Sequence, residues 1–322
     1  MPTGVVRYDA GMILTVTPNP ALDYTIRVDA FELGRRSKYR DPRIDPAGKG
    51  INVSRMVRRL GGTTLALGFA AGATGDLLRQ GLDAEGVPHE FISVDGLTRI
   101  NVTLLTGPEG SATHVHGPGR PVTDGDVRRL LDRISVALAR ARMVILSGSF
   151  PPGLSSSFVF DLVARARSAG VRSIIDTEGD LLGAAVEAKA DLVKPNLLEA
   201  AEYLNRTLKT VDDAVAAARE ITARGAGAAV LTMRGDGAVG VSGGRAWHVQ
   251  APREDVVRAI GAGDSFAAGL AAGLTKGATL PDALRLAAAA GTATALHSGT
   301  GLGTPEEVDR LRERTVVREI SG

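Results

Sequence analysis

From residue 127 onward the chain alternates helix and strand at near-regular spacing, and no other feature restricts its fold as much. An amphipathic helix is predicted over 127–139, then a buried strand over 143–146 closed by Ser147-Gly148-Ser149. A helix over 156–169 stops at Gly170, and the strand that follows ends at Asp176. Another helix precedes Leu192-Val193 and Lys194-Pro195-Asn196, and a helix over 211–223 precedes a strand over 228–232. Short strands follow near 238–241 and 245–250, and helices over 262–275, 282–296 and 305–314 complete the chain. Strands separated by helices of this length cannot pair as hairpins. Each helix must cross over a sheet face, which builds a parallel sheet covered on both sides.

The first third breaks that rhythm. Residues 12–16, MILTV, are predicted as a buried strand ending in the turn Thr17-Pro18-Asn19-Pro20. Residues 24–28 alternate like an exposed strand. Arg35, Arg36, Lys38, Arg40 and Arg43 crowd around Pro42, a pattern that fits a solvated sheet edge. A glycine turn over 46–52 feeds a helix in which Val53, Met56, Val57 and Leu60 share one face, stopped by Gly61-Gly62. A strand over 64–69 and a helix over 74–85 follow. Strands near 91–94, 101–106 and 113–116 then come without helices between them. Together with residues 22–46 these are expected to form a small sheet of their own. His114 and His116 alternate, so both face one side of it.

Composition excludes several function classes. The 322 residues are 44% apolar and 23% charged, enough for a large core in one domain with an insertion. There is no cysteine, so disulfides, thiolate metal sites and thiol catalysis are ruled out. The net charge of +2 and 4% aromatic content give no reason to expect nucleic-acid binding. No apolar run reaches membrane-spanning length, so no membrane association is expected. Residues 1–11 read as a loose leader and 12–322 as the domain.

Candidate chemistry concentrates at glycine turns and strand ends. Gly261-Ala262-Gly263-Asp264 opens a helix of small residues. Free N–H groups and the helix dipole there form an anion site. A carboxylate repels a resting anion, so Asp264 fits better as a base acting on a hydroxyl that attacks a phosphoryl group held by those amides. Asn196 and Glu199 have capping-box spacing, and could also hold Mg²⁺ through water near phosphates. Asp23, Ser149 and Thr232 lie at strand ends, where open α/β sheets bind ligands. Gly48-Lys49-Gly50 is not a Walker A loop, no G-x-S-x-G elbow is present, and no G-x-G-x-x-G follows the first strand.

Eight strings in order carry a resemblance. They are NPALD at 19–23, GKGINVSR at 48–55, ATGD at 73–76, TRIN at 98–101, SGSFPPG at 147–153, DTEG at 176–179, KPNLLE at 194–199 and GAGDSF at 261–266. The chain resembles the ribokinase-like PfkB carbohydrate kinases, most of all their phosphofructokinase branch, with its 6-phosphofructokinases, 1-phosphofructokinases and tagatose-6-phosphate kinases. The resemblance implies a three-layer α/β/α fold with a mostly parallel sheet and a small β-sheet lid formed by 22–46 and 89–118.

It also implies roles. Asp264 would be the base, with Gly261, Ala262 and Gly263 as the anion hole. Asp23, Gly48 and Asn52 would contact sugar hydroxyls, with Lys49 and Ser149 in the same substrate set. Arg99 would meet the substrate phosphate, and Arg36 or Lys38 would come from a neighbouring subunit's lid. Lys194, Asn196, Thr232, Arg234 and Gly237 would serve the nucleotide, and Asn196 and Glu199 the metal. The implied reaction is transfer from ATP, with Mg²⁺, to a phosphorylated ketohexose. ATGD and SGSFPPG favour fructose-6-phosphate, and Lys49 favours fructose-1-phosphate or tagatose-6-phosphate. A silent sugar- or nucleotide-binding protein on the same fold is the second reading. A cytoplasmic homodimer joined through the lid is expected. Three places depart from relatives: Arg258-Ala259-Ile260 before the anion hole, Arg234 in the nucleotide loop, and His297-Ser298 near the adenine site.

Overall fold

A computed structural model describes residues 11–106, 111–252, 254, 261–297 and 301–320. The chain opens with β1 (Met12–Thr17), β2 (Ala21–Val28), β3 (Tyr39–Ala47), α1 (Lys49–Arg59), β4 (Thr64–Ala71) and α2 (Gly72–Ala84). It continues through β5 (His89–Val94), β6 (Arg99–Thr106), β7 (Ser111–Val115), α3 (Asp124–Leu138), β8 (Ala141–Ser147) and α4 (Ser157–Ser168). Then come β9 (Arg172–Asp176), α5 (Asp180–Glu187), β10 (Leu192–Val193), α6 (Leu197–Tyr203), α7 (Val211–Arg224) and β11 (Ala228–Thr232). The last part holds β12 (Ala238–Ser242), β13 (Arg245–Gln250), α8 (Ala262–Thr275), α9 (Leu280–Ala295), α10 (Pro305–Arg314) and β14 (Val316–Ile320).

Ten strands form one sheet in the order β14-β13-β12-β11-β10-β9-β8-β1-β4-β5. From β11 to β5 neighbouring strands run parallel, and β12, β13 and β14 add an antiparallel edge. The period-2 alternation of strand side chains divides the core. Met12, Leu14 and Val16 of β1 face one layer, with Ile134 of α3, Phe158 of α4 and Ile221 of α7. Ile13 faces the opposite layer, with Met56 of α1, Leu270 of α8 and Leu284 of α9. Each such side chain, fully buried, contributes roughly 1.5–3 kcal/mol. The core is poor in aromatics, so helices must approach closely. A Cβ on Gly269 of α8 would lie 2.8 Å from the Cα of Ala287 in α9. Capping boxes start α3, α6, α7 and α10 at Thr123, Asn196, Thr210 and Thr304.

The three-layer architecture expected from the sequence is present. Two details differ, the sheet to which residues 91–94 belong and the presence of a last strand. The strand near 91–94 is β5, and it pairs parallel with β4 in the large sheet, not in the small one. The reason is that α2 makes β4-α2-β5 an ordinary crossover unit. The small sheet has the order β3-β2-β6-β7. Residues around Pro42 belong to β3, a strand at the edge of that sheet. An irregularity in register opposite Thr25 to Arg27 and the positive φ of 52° at Asp41 let the proline in. The last strand, β14, was not anticipated. The leader, apart from Gly11, and Arg258-Ala259-Ile260 lie outside the described residues.

The faces of the small sheet differ in kind. Asp23 pairs with Asn101 and Asp45, and Thr25 with Thr103, which makes one face polar. Tyr24 pairs with Val102 and Ile44, and Val102 with Val115, which makes the other apolar. The rings of His114 and His116 are 6.0 Å apart, as their alternation predicts.

Candidate active site

The chain leaves β1 for β4 on one side and returns as β8 on the other, which opens a crevice at the carboxyl ends of the strands. Most of the residues singled out in the sequence meet there.

The first turn of α8 forms one wall. Gly261 precedes it with a left-handed φ of 74° and carries no side chain to cap it. The N–H groups at the start of a helix have no partner within it. Gly263 is exposed, with nothing within 4 Å of where a Cβ would sit, so the space in front of these amides is open. Behind them Asp264 is buried and accepts a 2.8 Å hydrogen bond from Nδ2 of Asn52. Burial pushes its pKa up to about 7. The charge of Asp176 adds to the rise, while Asn52, Lys49 and Lys194 hold it back. A carboxyl group with that value is half ready to take a proton at neutral pH.

The first turn of α1 forms the facing wall. Gly48 has a φ of 125°, and a Cβ there would lie 2.8 Å from Cγ2 of Thr17, so only glycine lets this helix start so close to the end of β1. Lys49 follows. Its Nζ is 3.6 Å from Oε1 of Glu199 and 4.0 Å from Oε2 of Glu178. Burial disfavours its charge, but Asp176, Glu199, Glu178 and Asp264 together outweigh burial and raise its pKa. Lys49 is therefore a fixed cation pointing into the crevice.

The floor comes from β9, β10 and α6. Asp176 ends β9, and its Oδ1 meets Nζ of Lys194 at 3.1 Å, with both side chains almost wholly buried. Asn196 caps α6: its Oδ1 accepts from the N–H of Leu198 and of Glu199, while Oε2 of Glu199 accepts from the Asn196 N–H. Both lone pairs of the Asn196 oxygen are thus taken, and its free NH₂ can only donate. A donor of that kind suits a phosphate oxygen. Burial raises the pKa of Glu199, with Lys49 as the main counterweight.

Among the described residues no three His, Cys, Asp or Glu side chains cluster closely enough to ligate a metal ion directly, so a hard dication would be held here through water. Glu199 and Asp264 both feel the charges of Lys49 and Lys194, and Asp176 and Glu178 stand in the same cluster around Lys49. The hydroxyls of Ser147 and Thr177 are buried without a partner among the described residues. The donor set is oxygen throughout, which is what Mg²⁺ takes.

The sugar-facing side carries the remaining predicted residues. Oδ1 of Asp23 accepts from Nδ2 of Asn101 at 2.9 Å, and burial raises the Asp23 pKa despite that bond. Arg99 donates to the carbonyls of Gly117 at 2.8 Å and Asn19 at 2.9 Å, and its Nε is buried without a partner. Burial lowers its pKa, opposed by Asp23. A guanidinium bonded only to neutral carbonyls is well placed for an anion. Arg120 lines the same small cavity with Asn19 and Thr98. Asn19 also donates to Oγ of Ser149 at 3.2 Å.

Other predicted residues stand apart. Arg36 and Lys38 are exposed between β2 and β3 and pair with no other described residue. Thr232 ends β11 and is bridged to Asn196, while Arg234 is exposed in a short 3₁₀ turn with φ 54°. Gly237 closes that turn, where a Cβ would lie 2.0 Å from the carbonyl oxygen of Val249. Nε2 of His297 donates to Oε2 of Glu307 at 2.8 Å. The sequence reading missed Asp176, Asn19, Asn101 and Arg120 as site residues. Asp176 was visible as the end of a strand. The other three become significant only through the loop and the small sheet that bring them to Arg99 and Asp23.

Comparison with known proteins gives the family and the fold. A family model for pfkB family carbohydrate kinases matches residues 16–307. The chain is 36% identical to a 1-phosphofructokinase of Bacillus subtilis over 311 residues, 96% of this chain and 100% of that protein. It is 32% identical to the ATP-dependent 6-phosphofructokinase isozyme 2 of Escherichia coli over 93% of this chain and 97% of that one. The crystal structure of Escherichia coli phosphofructokinase-2 with fructose-6-phosphate superposes with a TM-score of 0.88 at 30% identity, covering 94% of this chain and 98% of that chain.

Proposed function

The chain belongs to the pfkB family of carbohydrate kinases, and we propose that it transfers the γ-phosphoryl group of ATP to a fructose monophosphate, making fructose-1,6-bisphosphate. The observation that carries this reading is the pairing of a buried carboxylate of raised pKa, Asp264, with an open helix N-terminus in the same turn.

The sugar lies between Asp23 and Asn52, with its existing phosphate toward Arg99 and Arg120. Asp264 takes the proton of the attacking hydroxyl, which contributes roughly 10²–10⁴-fold in rate. The amides of 261–263 and Lys49 meet the charge on the transferred group. Lys194 and the Asn196 NH₂ face phosphate oxygens, and Thr232, Arg234 and Gly237 border the rest of the nucleotide. Glu199, with Asp176 nearby, would hold Mg²⁺ through water, and the ion would supply charge neutralisation of the phosphates.

Two monophosphates give the same product. ATGD and SGSFPPG put fructose-6-phosphate first, but Thr74 and Gly153 of these stretches are spent on packing. The hydroxyl of Thr74 bonds the carbonyl of Thr98 at 2.9 Å, and a Cβ on Gly153 would strike the Val122 carbonyl at 2.3 Å. Lys49 instead points into the reacting cluster. It and the 36% identical 1-phosphofructokinase favour fructose-1-phosphate as acceptor, with fructose-6-phosphate as the second reading. A coupled assay of ADP release with fructose-1-phosphate, fructose-6-phosphate, tagatose-6-phosphate and free sugars decides. Turnover with none of them leaves only the silent-binder reading.

The apolar face of the small sheet exposes Ile44 and Val115 by more than half, and a second copy of the chain would cover it. In such a homodimer Arg36 and Lys38 would reach the partner's sugar phosphate. No helix among the described residues is long and apolar enough to cross a membrane. The cytoplasm, where ATP and sugar phosphates are found, is the place for this chemistry.

A further inference from the structure

Asn52 stands between two groups that make opposite demands. Its Nδ2 donates to Asp264, and its Oδ1 lies 3.4 Å from Nη1 of Arg55. Arg55 is one turn further along α1 and is almost fully buried, yet the reaction described above does not use it. Glu85 holds it from behind α2 in a two-pronged contact, Nε to Oε2 at 2.7 Å and Nη2 to Oε1 at 2.6 Å. The same Nη1 also reaches the carbonyl of Pro46 at 3.3 Å, next to the end of β3 where the small sheet joins α1.

A guanidinium has donors and no acceptor, so the atom that Asn52 turns toward Arg55 must be its oxygen. That leaves the NH₂ for Asp264. Without Arg55 the amide could turn over and present its oxygen to Asp264, which is tolerable only if Asp264 holds a proton. A protonated Asp264 is no base. The fork of Glu85 fixes the plane of the guanidinium, and a bidentate pair of this kind has little freedom to rotate.

We infer that Arg55, clamped by Glu85, is a positioning residue for the phosphoryl transfer: it sets the orientation of the Asn52 amide and through it the carboxylate of Asp264. The clamp rests on Asp264 being the base. Its contact with Pro46 ties the same orientation to the strand that carries the small sheet over the sugar.

The test is a double-mutant cycle on the full-length enzyme with ATP and fructose-1-phosphate or fructose-6-phosphate, whichever turns over. Arg55→Met is combined with Glu85→Gln, so that no carboxylate is left facing an apolar side chain. The pair is measured with Asn52 intact and in Asn52→Ala. With Asn52 intact, kcat is expected to fall roughly tenfold, the cost of a slightly misplaced reacting group, with KM for ATP unchanged. In Asn52→Ala the same pair is expected to cost nothing further in kcat. An unchanged kcat with Asn52 intact, or equal losses in both backgrounds, overturns the clamp, because a residue that only packs acts whether or not Asn52 is present. Glu85→Gln alone runs through the same cycle if the pair fails to fold. Asp264→Asn separates the two levels: near-normal turnover there removes the base and the clamp together, while a crippled Asp264→Asn with equal losses in the cycle removes the clamp alone.

Discussion

Nδ2 of Asn52 and Oδ2 of Asp264 are 2.8 Å apart in space and 212 residues apart in sequence. That bond joins the helix that leaves the small sheet to the helix that carries the open amides. It adds a polar tie to the apolar packing of α1 on α8.

Replacing Asp264 tests the base. Asp264→Asn is expected to bind ATP normally and lose at least ~10²-fold in kcat. Titration of ATP by fluorescence or calorimetry beside the rate assay checks both halves, and a mild rate loss would remove Asp264 from its role.

The same carboxyl sets a pH limb. Its pKa of about 7 means the base is protonated below that value, so kcat/KM for the wild type is expected to rise with pH across about 7. A profile that stays flat from roughly one unit below to roughly one unit above that pKa would contradict a base of this kind.

Stability should move the other way. The folded value of about 7 lies above the ordinary 3.8, so between them the folded chain keeps a proton that the unfolded chain has released. The contribution of Asp264 therefore falls as pH rises from 3.8 to about 7, and the deficit is complete above 7. It amounts to at most about 4 kcal/mol. Asp264→Asn removes it. The Tm of the variant relative to wild type is expected to grow over that window and level off above it, and a constant difference would speak against a buried titrating carboxyl.

Lys194 and Asp176 form the buried pair under the crevice. Lys194→Met leaves Asp176 without its cation, which costs roughly 3–5 kcal/mol for a pair of this burial. Chemical denaturation of the variant measures it. A loss under about 1 kcal/mol would mean that the pair behaves as a surface contact.

Arg99 should act on the sugar phosphate. Arg99→Ala is expected to raise KM for phosphorylated fructose more than KM for ATP, because its guanidinium meets only carbonyls and awaits an anion. Equal effects on both substrates would place the phosphate elsewhere.

Much of this was readable in the chain. The βα rhythm after residue 127 foretold the parallel sheet, since a crossover helix leaves its strand no other way to pair. The glycines at 48 and 261 foretold the two helix starts, because a tight approach or a positive φ admits little else. The strand near 91–94 belongs to the large sheet and not the small one; its short apolar pattern reads alike in either, and only pairing with β4 decides.

Local pattern by itself determined which segments become helix or strand and where helices begin, because these depend on neighbours within a turn or two. Only the tertiary structure decided that Asp176 sits beside Lys194 and that Arg55 stands behind Asn52. Those outcomes depend on which distant groups share a water-poor space, and charge, burial and hydrogen-bond competition there are properties of the packed chain.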